Sequence, residues 1–186
     1  CDVPEGNTFV EVAATTFGGS SFALKVDGSI VGWGGNADNL LDVPEGNDFV
    51  TISAGYYNGA AIRSNGSIVV WGNGQYGQLE VPGGNDFVSI ACDGGYCVAL
   101  KADGSLIRWG NGGNNVPAGN DFVSVTSAYG HMVALRADGS TVTWPVQQDS
   151  PQGTHYVAVA GGYHHGLALH SDGTVASWGL NDCGQT

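Results

Sequence analysis

Five histidines, four cysteines and a recurring Asp-Gly-Ser are the residues of this 186-residue chain whose types and spacing suggest chemistry. Neutral imidazoles bind zinc or copper where they converge, and His131, His155, His164 and His165 are the candidates. They sit in turn-like sequence, where isolated histidines are common, so no metal ligand set is assigned. A nucleophilic triad needs a serine paired with one histidine and one carboxylate. Here the serine comes in Asp27-Gly28-Ser29, Asp103-Gly104-Ser105 and Asp138-Gly139-Ser140, with Asn65-Gly66-Ser67 and Asp172-Gly173-Thr174 as variants. A motif that recurs at regular intervals is demanded by a turn rather than by a reaction. Glutamates are few, Glu5, Glu11, Glu45 and Glu80, and neither a glycine-rich phosphate loop before a helix nor a Cys-x-x-Cys pair is present. No catalytic residue and no cofactor is expected, and the chain is read as a non-enzyme.

Those turns belong to a unit written five times. Pro4, Pro44, Pro82, Pro117 and Pro151 each precede an aromatic residue, Phe9, Phe49, Phe87, Phe122 or Tyr156, by the same interval. All five tryptophans close the units: Trp33, Trp71, Trp109, Trp144 and Trp178. The proline-to-tryptophan distance is constant in four units and two residues longer in the first, as a packed core requires. The distance from tryptophan to the next proline shrinks along the chain, as exposed connections allow. The whole fold must therefore be read from the unit. One repeat domain spans 1-186, with units of approximately 1-41, 42-80, 81-115, 116-150 and 151-186.

Within a unit, pairs such as Val50/Ile52 and Val123/Val125 alternate with small or polar residues, the period of a half-buried strand. A turn follows, then a second apolar stretch, then Asp-Gly or Asn-Gly, which supplies the positive φ values of a tight hairpin. A third strand ends in the tryptophan. With 32 glycines and no helical spacing, the unit is an antiparallel meander of three or four strands. Such a meander buries both faces only by stacking on its neighbours. Hairpins with a closing tryptophan suit the blades of a β-propeller better than the short coils of a β-helix. The predicted fold class is all-β, a β-propeller of five short antiparallel blades.

The run Ala160-Gly161-Gly162-Tyr163-His164-His165-Gly166-Leu167-Ala168-Leu169, followed by Ser171-Asp172-Gly173-Thr174 and Trp178-Gly179, resembles the repeat of the regulator of chromosome condensation family. The resemblance covers nearly the whole chain and implies a propeller that is typically seven-bladed. Five units are present here, and the fourth departs with Trp144-Pro145 and Gln147-Gln148-Asp149. Secreted propeller-type inhibitors of β-lactamase are built of similar repeats. The phase of the units fits a closed five-bladed ring, a segment of a larger repeat assembly, or a protomer completed by another copy.

With 17 acidic and 5 basic residues the chain carries a formal charge of −12, which opposes binding to nucleic acid or anionic membrane. Lys25, Arg63, Lys101 and Arg136 share one position before the hairpin turn, completed by His170, and are read as one structural cation per blade. Four cysteines in a small repetitive chain suggest an oxidising compartment. Cys92 and Cys97 flank one turn and are expected to pair. Cys1 and Cys183 lie at the seam between first and last units and are expected to form the second bond, with free thiols, or a lipidated Cys1, as the alternatives. The apolar runs are strand-sized, so no membrane insertion is expected, and the protein is placed outside the cell or on its surface. Asn65-Gly66-Ser67 reads as a glycosylation sequon but doubles as a hairpin turn.

What differs between units should carry function. After the first strand the units present Tyr56-Tyr57, Tyr96, Tyr129 and His131, and Tyr163-His164-His165, which radial stacking gathers on one face. Tyrosine offers large contact area at low entropic cost, so these eight residues form the expected site for a protein partner, or for copies of the chain itself. A structural protomer of an extracellular filament or surface layer is the alternative. A propeller lyase or metal-dependent enzyme is the more distant one.

Overall fold

We analysed a computed structural model, which describes residues 3–128, 130–144, 150–151 and 153–186. Each unit folds into one three-stranded antiparallel sheet, with the strands in chain order. The first blade contains β1 (Phe9–Ala14), β2 (Ser20–Lys25) and β3 (Ile30–Gly34). The second has β4 (Phe49–Ala54), β5 (Asn58–Arg63) and β6 (Ile68–Gly72), and the third β7 (Phe87–Cys92), β8 (Tyr96–Lys101) and β9 (Leu106–Gly110). The fourth has β10 (Phe122–Ala128), β11 (His131–Arg136) and β12 (Thr141–Trp144), and the fifth β13 (Tyr156–Gly161), β14 (His165–His170) and β15 (Val175–Gly179). A single 3₁₀ turn, Ala37–Asn39, is the helical structure among the described residues, and no helix there is long and apolar enough to cross a membrane.

Simple alternation along the first strands would turn Val50 inward with Ile52. The structure instead places a register shift between Phe49 and Thr51, and the same irregularity recurs in all five blades. The extra residue turns both the leading aromatic and the fourth residue inward. Phe49 and Ile52 are 3% and 5% exposed, while Val50 is 55% exposed. Val10, Val88, Val123 and Val157 are exposed in the same way.

Consecutive blades pack face to face, β1 on β4, β4 on β7, β7 on β10 and β10 on β13. In the first interface, Phe22 and Leu24 of blade one meet Phe49, Ile52, Ala61 and Trp71 of blade two. The Trp71 indole lies edge-on to Phe22 at 5.2 Å and donates its Nε1–H to the Leu40 carbonyl at 3.0 Å. Trp109 repeats this by donating to the Gln78 carbonyl at 2.8 Å. The backbone adds a second link. The amides of Phe49, Phe87, Phe122 and Tyr156 donate to the carbonyls of Gly28, Gly66, Gly104 and Gly139 in the preceding hairpin turn. Only glycine fits there. At Gly66, with φ +81°, a Cβ would lie 2.1 Å from the Asn85 carbonyl oxygen.

The cations of the second, third and fourth blades are used locally, while His170 of the fifth lies 3.6 Å from its turn acid Asp172. Arg63, Lys101 and Arg136 pair with Asp48, Asp86 and Asp121 and lie over the rings of Phe49, Phe87 and Phe122. In these three blades the partners precede the first strand and are not the turn acids. The turn acids accept hydrogen bonds two residues ahead, as Asp27 does from the Ser29 hydroxyl and amide. Those bonds hold the Asp27 carboxyl below its ordinary range, and the same holds for Asp103, Asp138 and Asp172.

Cys92 and Cys97 are joined by a disulfide across β7 and β8, with both residues buried in the interface to blade two. Cys183 carries a free, exposed thiol, and its expected partner Cys1 lies outside the described residues. The outer faces of the first and fifth sheets are left uncovered. Val12 is 73% exposed, against 5–7% for its counterparts Ile52, Ile90 and Val125. A closed five-bladed ring is thus not what the chain forms on its own.

Candidate partner-recognition face and axial pocket

The turns after the five first strands converge on one end of the molecule around a cavity of about 260 Å³. Thr16, Ala54, Asp93, Ser127 and Gly162, one from each blade, contribute to its lining, with Tyr163 at its margin. Strand register explains which turn residues reach the surface. Whether the turn has two residues or, in the first unit, four, the residue after it already belongs to the second strand, so its side chain points into the blade stack. Ser20, Asn58, Tyr96, His131 and His165 hold this position. Ser20, Asn58, Tyr96 and His131 are all buried, and His165 is half-buried.

The eight predicted contact residues therefore divide. Tyr57 and Tyr163 are exposed, 37% and 50%, and Tyr56, His164 and His165 are half-buried. Tyr96 and His131 are corrected out of the surface, because each opens a strand and is enclosed by neighbouring blades. Tyr129 lies outside the described residues. Two aromatics absent from the predicted set join the face, Phe17 at 55% and Tyr76 at 49% exposure. Phe17 stands in the longer turn of the first unit and packs on Tyr56 at 4.9 Å. Tyr76 sits in the connection after β6, outside the turn positions from which the set was drawn. Gly94 and Gly95 make room for this layer: a Cβ at either would meet the ring of Tyr56 at 2.8 Å or Tyr76 at 3.2 Å. On the opposite side Tyr163 stacks edgewise on His164 at 4.4 Å.

Beneath the aromatics lies one charged group. Asp93 occupies a position held by Thr15, Gly55, Ala128 and Gly162 in the other blades, is 5% exposed, and accepts the Gly130 amide at 2.7 Å. Burial raises its carboxyl above the ordinary range, against the opposing pull of the Gly130 and Gly94 amides. Next to it, burial and the Asp93 charge raise the Tyr96 phenol, over which the Arg108 guanidinium stacks at 4.0 Å. A carboxyl raised on folding contributes its stability below the unfolded pKa and loses it as pH rises through the folded one. Asp93→Asn keeps an acceptor for Gly130 and removes this dependence. The variant should gain stability relative to the parent between about pH 3 and pH 7 in denaturant titrations; a difference that stays flat across that range would mean the carboxyl is not perturbed.

Among the described residues, no three His, Cys, Asp or Glu side chains are grouped as metal ligands. The candidate histidines are spread over different surroundings: His131 is buried at the start of β11, His155 lies 3.0 Å from the Thr154 hydroxyl, His164 is in the fifth turn and His165 opens β14.

The family described as the regulator of chromosome condensation (RCC1) repeat matches residues 49–78 and 156–185, in the second and fifth blades. No curated protein matches the sequence. Among solved structures, the ectodomain of the receptor kinase CR4 from Physcomitrella patens is 18% identical, with a TM-score of 0.79 over 92% of this chain and 53% of its own. Prp20p of Saccharomyces cerevisiae is 19% identical, with a TM-score of 0.74 over 94% of this chain and 57% of its own. Human WBSCR16 is 18% identical, with a TM-score of 0.76 over 93% of this chain and 62% of its own. The chain thus spans little more than half the length of these structures, and the likeness establishes the propeller fold.

Proposed function

We propose that this chain of regulator of chromosome condensation repeats is a non-enzymatic scaffold that acts outside the cytosol and binds a protein partner through the aromatic end of the blade stack. The observation that carries the reading is the set of turn and connection aromatics Phe17, Tyr57, Tyr76 and Tyr163, each between 37% and 55% exposed, with Tyr163 lining the axial cavity. Rigid aromatics over flexible, small residues are the composition of binding hot spots. Yeast RCC1 (Prp20) is described both by its binding to Gsp1p and histones and by its complex with Kap60, which supports a protein as the ligand. The charge of −12 disfavours nucleic acid. The Cys92–Cys97 disulfide and the likeness to receptor ectodomains support the compartment.

The test is quantitative capture from the extracellular proteins of the source organism, comparing the parent with Tyr163→Ala and Tyr57→Ala. Both side chains are exposed enough to be removed without unfolding the blades. A hot-spot tyrosine should weaken binding by about 2 kcal/mol, roughly 30-fold. Partners that bind both variants as tightly as the parent would move the interface elsewhere.

A further inference from the structure

The axial cavity of about 260 Å³ holds a charge that the aromatic surface alone does not call for. Asp93 of the third blade lines it and is 5% exposed, with the second and fourth blades packed on either side. A carboxylate withdrawn from water needs hydrogen bonds and a counter-charge. The Gly130 amide supplies one hydrogen bond at 2.7 Å, a bond that a neutral asparagine could accept equally well. The cations of the neighbouring blades are committed elsewhere. Arg63, Lys101 and Arg136 pair with Asp48, Asp86 and Asp121. Arg108 stacks on Tyr96 and donates to the Asn111 and Gly113 carbonyls. Among the described residues no lysine or arginine is paired with Asp93, and the cavity is the side from which a cation reaches it.

We infer that this cavity receives the ammonium group of a lysine presented by the protein partner, with the Asp93 carboxylate as its counter-ion; the inference rests on the aromatic end being the partner-binding face. An ammonium suits the site better than a guanidinium. The Gly130 amide already occupies Asp93 Oδ2, which spoils the open pair of oxygens that a guanidinium fork matches. A compact ammonium needs only one carboxylate oxygen and can share its other donors with hydroxyls. Ser127 and Thr16 bring hydroxyl-bearing side chains to the same lining. Ala54 and Gly162 leave room for the apolar stem of the lysine, and Tyr163 offers an aromatic ring that attracts a cation. The net charge of −12 adds long-range attraction for a basic surface.

The experiment titrates the whole chain with Nα-acetyl-lysine N-methylamide and follows the backbone amides by NMR. The Nζ-acetylated form of the same probe is the neutral control. The charged probe should shift the amides of Asp93, Ser127 and Gly130, and the neutral one should bind at least about tenfold more weakly. Asp93→Asn, which keeps an acceptor for Gly130, should weaken the charged probe by a similar factor, with near-UV circular dichroism reporting the fold. Ser127→Val is the second variant: it narrows the cavity, leaves Asp93 in place and should weaken the charged probe severalfold. Tyr57→Ala, outside the cavity lining, should leave probe binding unchanged. Equal affinity for the two probes, shifts remote from Asp93, or a charged probe held as tightly by Asp93→Asn as by the parent would overturn the lysine. A partner captured through Tyr57 and Tyr163 but indifferent to Asp93→Asn would overturn it too, while sparing the aromatic face. A charged probe bound at Asp93, with capture indifferent to both tyrosines, would instead overturn the face as the source of the lysine.

Discussion

Trp71→Ala should cost about 3 to 5 kcal/mol in denaturant unfolding, the range for emptying a large buried aromatic site. The indole is 6% exposed, lies against Phe22 of the preceding blade and over Gly59 of its own, and carries a hydrogen bond to Leu40. Its removal opens a cavity between two blades and strands a buried carbonyl. Trp33 supplies the control. It holds the same position in blade one, but no blade covers its outer side and it is only half-buried. Trp33→Ala should cost about 1 kcal/mol, in proportion to the smaller area buried. Equal losses at the two positions would mean that the column stabilises each blade internally rather than the joint between blades.

Gly66→Ala and Gly173→Ala form a second matched pair. Both glycines have positive φ, +81° and +88°, so alanine at either should cost about 1 to 2 kcal/mol from the left-handed backbone alone. At Gly66 the new Cβ also meets the backbone of Asn85, which is held by the Phe87 amide bond and cannot retreat without parting blades two and three. Overpacking of this kind adds about 1 to 3 kcal/mol. Gly173→Ala lacks the second cost, since its surroundings are open. The gap between the two variants, read from denaturant midpoints, measures the blade joint. A gap near zero would mean that the hairpin turns merely touch their neighbours.

The fold was legible because the five units act as an alignment inside one chain. Pro-to-Trp spacing, Asp-Gly turns and closing tryptophans led to antiparallel blades of three or four strands, and the structure has three. Periodicity did not reveal the bulge at Val50, because one inserted residue reverses facing without changing composition. The candidate site was legible only in part for a related reason. Variation marks the turn but not where the turn ends, so Tyr96 and His131, already in strands β8 and β11, looked like surface residues. Tyr76 lies in a connection of variable length, where column comparison has nothing to align. Nor could the phase of the units decide closure, which depends on the angle between blades, a quantity set by packing.

The repeated link from a hairpin glycine to the next blade's opening amide makes the molecule a chain of couplings between nearest neighbours. No bond of this kind skips a blade among the described residues. Order should therefore spread from blade to blade like the states of a one-dimensional lattice, each blade borrowing stability from those on either side. The first and fifth have one such neighbour within the chain, while the third has two and is cross-linked by Cys92–Cys97. The central blade is thus the kinetic anchor, the last unit to open and the one on which refolding can be built outward in both directions.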